Sequence, residues 1–160
     1  ALKQLVDEDI KLKRIFSNEL LNHIGNTCEH IKMLPKFLSL GYSIDQFLYD
    51  YSQNKCTELE LKKIERNYRF RNIYHSKTID AFIGKFFAIN ADNNSNLEYS
   101  NCIDRLENLD PSLFEVLAKF WNNWTSYDIE KDDGIYYSYR DTVLEFYEET
   151  KNWIQHKIIK

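Results

Sequence analysis

The sequence predicts an all-α protein, folded as a single bundle of about six or seven helices over residues 1–160. Three observations favour this class. Only four glycines and two prolines occur in 160 residues, which is too few turn-forming residues for a fold of many short strands. Apolar residues recur at helical spacing, and N-terminal capping signals precede several of these segments. No repeat or long linker divides the chain, so we expect one helical domain.

The first helix is expected over residues 2–24, where apolar residues recur every three or four positions. Gly25 and Asn26 should stop it. A second helix is expected over residues 28–40. Because proline lacks the backbone N–H that the helix ladder needs, Pro35 should kink or divide this second helix.

Two capping boxes predict the next two helices. In each box, a Ser or Thr and the Gln or Glu three positions later satisfy each other's free backbone N–H groups. Ser43 and Gln46 open a short helix that ends near residue 52. Thr57 and Glu60 open a basic helix that runs to about residue 75.

The second half of the chain should contain the centre of the core. After a break at Ser76 or Thr78, a strongly apolar helix carries Ile79, Phe82, Ile83, Phe86 and Phe87. An Asn-rich loop follows at residues 90–96. We then expect three further helices. The first is capped by Ser95 with Glu98, and the second starts at Asp110 before Pro111. The third follows the polar residues 128–134.

The cysteines and the hydropathy indicate a cytoplasmic protein. Cys28, Cys56 and Cys102 are odd in number and lack CxxC spacing, which favours free thiols over disulfides or a zinc site. No apolar run approaches the roughly 20 residues that span a bilayer. We therefore expect no contact with membranes. The abundance of Asn, Lys, Ile and Tyr is typical of AT-rich genomes.

The charge pattern points to residues 62–77 as the most informative segment. They hold six Lys or Arg residues against one Glu, whereas the whole chain has a formal net charge of -4. The positive charge of such a segment is neutralised by acidic residues of its own chain, by a protein partner or by nucleic acid. Residues 128–149 hold eight acidic and two basic residues, and they are the natural internal counterweight.

Within this segment, two arginines precede a histidine at spacings that suit phosphate chemistry. Arg71 lies four positions before His75, which places the two side chains on one face of the expected helix. Arg69 has five residues between it and His75. A histidine exchanges protons near neutral pH, and an arginine stabilises negative charge that develops at phosphorus.

The stretch resembles the signature of the HEPN superfamily of small α-helical proteins, many of them RNA endonucleases of toxin, abortive-infection and CRISPR systems. That signature is an Arg, usually followed by a polar residue such as Asn, and then a His after four to six intervening residues. Arg69 has the spacing but is followed by Phe70, and Arg71 is followed by Asn72 but stands too close to His75. The resemblance implies metal-independent RNA cleavage, with His75 as the acid/base group and Arg69 or Arg71 at the phosphate, in a site shared across a homodimer.

Other motifs have simpler explanations. His23 and His30 are seven apart but lack carboxylates for a metal site, particularly if the helix stops at Gly25. The loop that begins at Asp92 has neither the Gly nor the Glu that a calcium-binding EF-hand needs. The acidic, turn-forming residues 132–134 are expected to form a solvated loop. Trp121 and Trp124 have the spacing of core residues, and Tyr136, Tyr137 and Tyr139 form either a partner-binding patch or ordinary packing.

The sequence-based prediction is a non-catalytic module that binds a protein or nucleic acid, and an HEPN-like ribonuclease is the alternative. Without a nucleophile elbow or a Gly-rich phosphate loop, no cofactor, small-molecule ligand or metal is implied. The expected partner is a protein or a second copy of the chain, with RNA as the other option. Binding is assigned to an exposed aromatic patch or to the basic face of Lys62, Lys63, Arg66, Arg69, Arg71 and Lys77.

Overall fold

The computed structural model describes residues 2–48, 50, 52–127 and 135–160, and for residues 135–138 it describes the backbone alone. Helices make up 72% of it, which confirms the all-α class. In the described residues the helices are α1 (Leu2–Asp7), α2 (Ile10–Ile15), α3 (Asn18–Ser39), α4 (Ile44–Phe47), α5 (Glu58–Asn67), α6 (Ser76–Asn90), α7 (Ser100–Leu109), α8 (Pro111–Ser126) and α9 (Ile135–Ile154).

A small sheet supplements the helices. Its three strands are β1 (Arg69–Phe70), β2 (Ile73–Tyr74) and β3 (Ile158–Ile159), in the order β1-β2-β3. The first two strands form an antiparallel hairpin between α5 and α6, and β3 pairs parallel to β2 at the C-terminal end of the chain. The sequence prediction of helices alone missed this sheet.

The first predicted helix is divided into three because two capping residues interrupt it. The side chain of Asp9 accepts hydrogen bonds from the N–H groups of Lys11 and Leu12, at 2.9 and 3.1 Å, and starts α2. Ser17 Oγ accepts from Leu20 N–H at 3.0 Å and starts α3. The apolar periodicity continues through both breaks, so periodicity alone did not reveal them.

The expected stop at Gly25 and the expected division at Pro35 are both wrong. Helix α3 continues through both residues to Ser39 and ends before Gly41, whose φ is 88°. A glycine inside a helix costs only about 1 kcal/mol relative to alanine. Burial of the α3 face that contains Ile24 and Cys28 favours the continuous helix by more than that.

Helix α6 lies at the centre of the core, as the sequence predicts. Its apolar face is buried from Ile79 to Ile89, and α3 packs against it. Helices α8 and α9 pack on each other and complete the same continuous apolar cluster. Cys28, Cys56 and Cys102 are buried free thiols within this cluster.

Several predicted helix ends are confirmed and others shift. The capping box of Thr57 and Glu60 begins α5, and Asp110 caps α8 with Pro111 at its first position. Helix α4 is shorter than predicted and ends at Phe47. Helix α7 begins at Ser100, after a turn, so the expected cap at Ser95 is wrong.

Candidate functional site

The basic segment forms a helix and a hairpin, and the prediction of one basic helix to residue 75 is wrong. Helix α5 ends at Asn67, and the chain then turns back on itself. Arg69 pairs with Tyr74, and Phe70 pairs with Ile73. Arg71 is the first of the two turn residues and has a φ of 57°, a left-handed conformation that is costly for a residue with a Cβ.

A buried hydrogen-bond network fixes the base of the hairpin to the bundle. The side chain of Tyr68 is fully buried, and its hydroxyl donates to Asp110 Oδ2 at 2.9 Å. Trp153 Nε1 of α9 donates to the other oxygen of Asp110 at 3.4 Å. Burial and the neighbouring Asp110 raise the pKa of Tyr68, so its hydroxyl remains a donor. The turn therefore projects from a rigid support.

Strand β3 brings cations from the end of the chain to the same place. Lys160 N–H donates to Tyr74 C=O at 2.9 Å, and Ser76 N–H donates to Lys160 C=O at 2.7 Å. Lys157 Nζ lies 4.3 Å from the ring centre of Trp153 and 5.5 Å from that of Tyr74. Partial burial lowers the pKa of Lys157. Sequence reasoning missed these residues because they lie about 85 positions from the hairpin.

The structure does not place Arg69, Arg71 and His75 on one helical face. Arg69 Nη1 donates to the hydroxyl of Tyr74 at 3.3 Å, and the two residues are partners across the sheet. His75 follows Tyr74 in extended conformation, so its side chain points to the opposite face from Arg69. Arg71 extends from the turn, with its guanidinium carbon 5.4 Å from the ring centre of Phe70. All three side chains are exposed.

The single acidic residue of the basic segment is neutralised by a different helix. Arg105 of α7 binds Glu65 through two nitrogens, at 2.6 and 2.7 Å, and binds Glu58 at 2.7 Å. Hydrogen bonds from Arg105 are the main cause of the lowered pKa of both Glu58 and Glu65. Lys62 Nζ lies 3.2 Å from Glu58 and joins this network, which we call the α5–α7 seam.

The other cations of the segment have no carboxylate within ion-pair distance in the part of the chain that the structure describes. In α9, which belongs to the expected acidic counterweight, Glu145 and Glu149 bind Lys119 of α8. Residues 128–134 lie outside the described residues. These five exposed cations, which we call the hairpin cations, are Lys63, Arg66, Arg69, Arg71 and Lys77.

The hairpin also exposes apolar side chains. Phe70 is 66% exposed and Ile158 is 57% exposed. Ile73 pairs with both of them across the sheet, so these three residues share the face that points away from the core, which we call the outer face. The β-favouring residues at 68, 70, 73 and 74, on the two sides of Arg71 and Asn72, were the available signal of a hairpin.

A separate cavity of about 280 Å³ lies between α3, α4 and the end of α6. Because α3 is continuous, His23 and His30 both line it, together with Asp50, Lys55 and Asp92. His23 Nε2 lies 3.3 Å from the carbonyl oxygen of Gly84, and desolvation lowers its pKa. In the described ranges, no three His, Cys, Asp or Glu side chains group together in a way that could hold a metal.

The remaining aromatic candidates pack in the structure. Trp121 is buried, and Trp124 Nε1 donates to Cys28 C=O at 2.9 Å, which confirms the core interpretation. Tyr139 packs on Trp124 and Tyr127, with ring centres 4.5 and 4.9 Å apart. The side chains at positions 136 and 137, and the acidic turn at 132–134, lie outside the described residues.

Comparisons with known proteins add no assignment to this geometry. The chain matches no family model, no curated protein and no solved structure. Among the residues that the structure covers, no helix has both the length and the apolar character that crossing a bilayer requires.

Proposed function

We propose that the protein is a binding module for a polyanionic macromolecule, and that the hairpin cations are the binding site. One observation carries the proposal: five exposed Lys and Arg side chains lie along the end of α5, the hairpin and the start of α6, without a carboxylate partner among the described residues. Elsewhere in the fold, cations such as Arg105 and Lys119 are each bound by two carboxylates.

Electrostatics explains why this arrangement favours an external partner. Like charges that are grouped on a surface repel one another. Binding of a polyanion relieves this repulsion and releases the counterions of the polyanion, so both effects favour binding. The chain as a whole is acidic, so the attraction is local and depends on this surface. A cytoplasmic location belongs to the same proposal, and the three free thiols are its support.

The test is the salt dependence of binding to heparin, used as a generic polyanion. We expect affinity to fall steeply as salt rises, and the double substitution Arg66→Glu with Arg69→Glu to remove it. Lys36→Glu is the matched control, because Lys36 is an exposed cation in the last turn of α3, outside the segment of the hairpin cations. Heparin binding that is absent in the wild type, or unchanged in the double variant, rules the proposal out.

A second proposal, HEPN-like RNA cleavage, is favoured by one observation. His75 is exposed, with its imidazole free of hydrogen bonds and ion pairs to described residues, and it lies in the same short segment as Arg69 and Arg71. Cleavage of a labelled RNA should then be lost in His75→Ala and kept in His156→Ala, which changes another exposed histidine. Cleavage that persists in His75→Ala, or an inactive wild type, excludes this second function.

A further inference from the structure

The outer face of the three-stranded sheet is apolar but is surrounded by positive charge. Phe70, Ile73 and Ile158 lie side by side on the three strands. The segments at residues 69–77 and 156–160, which build the sheet and its edges, contain no acidic residue. Isolated exposed apolar residues are common on protein surfaces, but an aligned set of this kind within a cationic region indicates a binding surface.

Phe70 is the most prominent member of this face. Phe70 immediately precedes the two-residue turn and is 66% exposed. The guanidinium carbon of Arg71 lies 5.4 Å from the centre of the Phe70 ring. An aromatic ring beside a guanidinium group offers two flat surfaces on which a planar group can stack. Arg71 lies at the tip of the hairpin in a left-handed conformation, and such backbone strain is commonly found at binding sites.

We propose that this outer face binds single-stranded nucleic acid, with a base stacked on Phe70 and the phosphates on Arg71, Lys77 and Lys160. The inference rests on the proposed function and names the class of its partner. Lys160 belongs to the surface because its backbone is hydrogen bonded to both Tyr74 and Ser76, which fixes the end of the chain beside the hairpin.

The chemistry of the surface distinguishes this partner from the other polyanions. In a duplex the bases are stacked on each other, so a duplex would use the cations and leave Phe70 and Ile158 exposed. Surfaces that bind single strands combine a cationic track with a few aromatic rings on which bases stack.

The binding of a fluorescein-labelled oligouridylate tests the inference by anisotropy. The unlabelled duplex of this strand with its complement, heparin and polyglutamate serve as competitors. We expect the single strand to bind more tightly than the duplex, and Phe70→Ala to weaken it by about tenfold, because one stacked base is lost. Phe70→Tyr should bind as the wild type does, since a tyrosine ring also stacks. Leu59→Ala is the matched control, because Leu59 is 80% exposed on α5 and lies outside the sheet.

The results separate this inference from the proposed function. If heparin binds while the single strand has no advantage over the duplex, or if Phe70→Ala has no effect, the nucleic-acid inference fails and the proposed function stands. If polyglutamate binds in a manner that depends on Phe70, the partner is an acidic protein and the inference also fails. If the wild type binds none of these polyanions, both proposals fail together.

Discussion

The α5–α7 seam and the hairpin differ in how their charges are neutralised, although α5 leads directly into the hairpin. In the seam, Arg105 is held by Glu58 and Glu65, and Lys62 adds a further ion pair. In the hairpin, Arg69 and Arg71 lie against aromatic rings and form no ion pair with a described carboxylate. Charge composition alone therefore does not show which cations remain unpaired. The absence of a neighbouring carboxylate distinguishes the hairpin cations from Arg105 and Lys62 of the seam.

The two regions also differ in what holds them in place. The seam lies at the surface and depends on side chains that are partly solvated. The buried hydrogen bond between Tyr68 and Asp110 fixes the base of the hairpin to the bundle. Its exposed side chains thus stand on a support that belongs to the core, and such a support would limit the loss of conformational entropy on binding of the proposed partner.

The largest effect should come from Asp110→Ala, which removes the link between the hairpin and the bundle. Asp110 is 6% exposed, accepts from Tyr68, Trp153 and Ser112, and caps α8 through Leu113 N–H. Loss of the cap and of the partners of two buried donors should lower the free energy of unfolding by about 3 kcal/mol. Urea denaturation followed by circular dichroism measures this change.

Asp104→Ala is the control for that substitution. Asp104 is an exposed aspartate of α7, and its carboxylate makes no ion pair with described residues. Its removal should change stability by less than about 0.5 kcal/mol. Equal effects of the two substitutions would show that the hairpin is not supported by a buried network, and the contrast with the solvated seam would disappear.

A smaller and opposite effect is expected from Arg71→Gly. Glycine adopts a φ of 57° without the steric cost that a Cβ imposes, and this relief outweighs the greater entropy of glycine in the unfolded chain. The variant should be more stable by about 0.5 kcal/mol, while its affinity for heparin falls. Asn72→Gly, at the second turn position and without positive φ, should give no gain. A destabilised Arg71→Gly variant would contradict the strained geometry of the turn.

The smallest effect should come from Arg105→Met in the seam, and it depends on pH. The folded-state pKa of Glu58 and of Glu65 is lowered, mainly by hydrogen bonds from Arg105. A lowered pKa contributes stability above the unfolded value of about 4.3, and that contribution is lost as pH falls through the folded value. The urea midpoint of the variant should therefore lie below that of the wild type at pH 7, and the two should converge in acid.

Lys63→Met is the control for the pH experiment. Lys63 is an exposed cation on the same helix, and it has no carboxylate partner among the described residues. The difference between its urea midpoint and that of the wild type should not depend on pH. A pH-independent effect of Arg105→Met, or an equal pH-dependent effect of Lys63→Met, would mean that pairing does not distinguish the two regions.

Local signals in the sequence predicted much of the secondary structure. The capping box of Thr57 and Glu60 and the start at Asp110 and Pro111 were correct, because the side chains that satisfy a helix end lie within three residues of it. Local signals were misread where two of them conflict. In residues 2–24, a continuous apolar period concealed the caps at Asp9 and Ser17.

The sequence predicted the position of the candidate site but not its hairpin conformation. Six cations in residues 62–77 were visible in the composition, yet the turn at Arg71 was not expected. The hairpin buries Tyr68 against Asp110 and pairs β2 with a strand from the C-terminal end. These partners lie more than 40 positions away, and no local rule includes them.

The sequence alone determined the all-α class, the central position of α6 and the excess of positive charge at residues 62–77, since each depends on composition or on spacing within a few turns. Which charges are neutralised and which remain exposed depends on the tertiary structure. Arg105 binds Glu65 from 40 positions away, and β3 places Lys157 and Lys160 beside the hairpin. Ion pairs and sheet pairing depend on distances in space, and those distances arise when the chain folds.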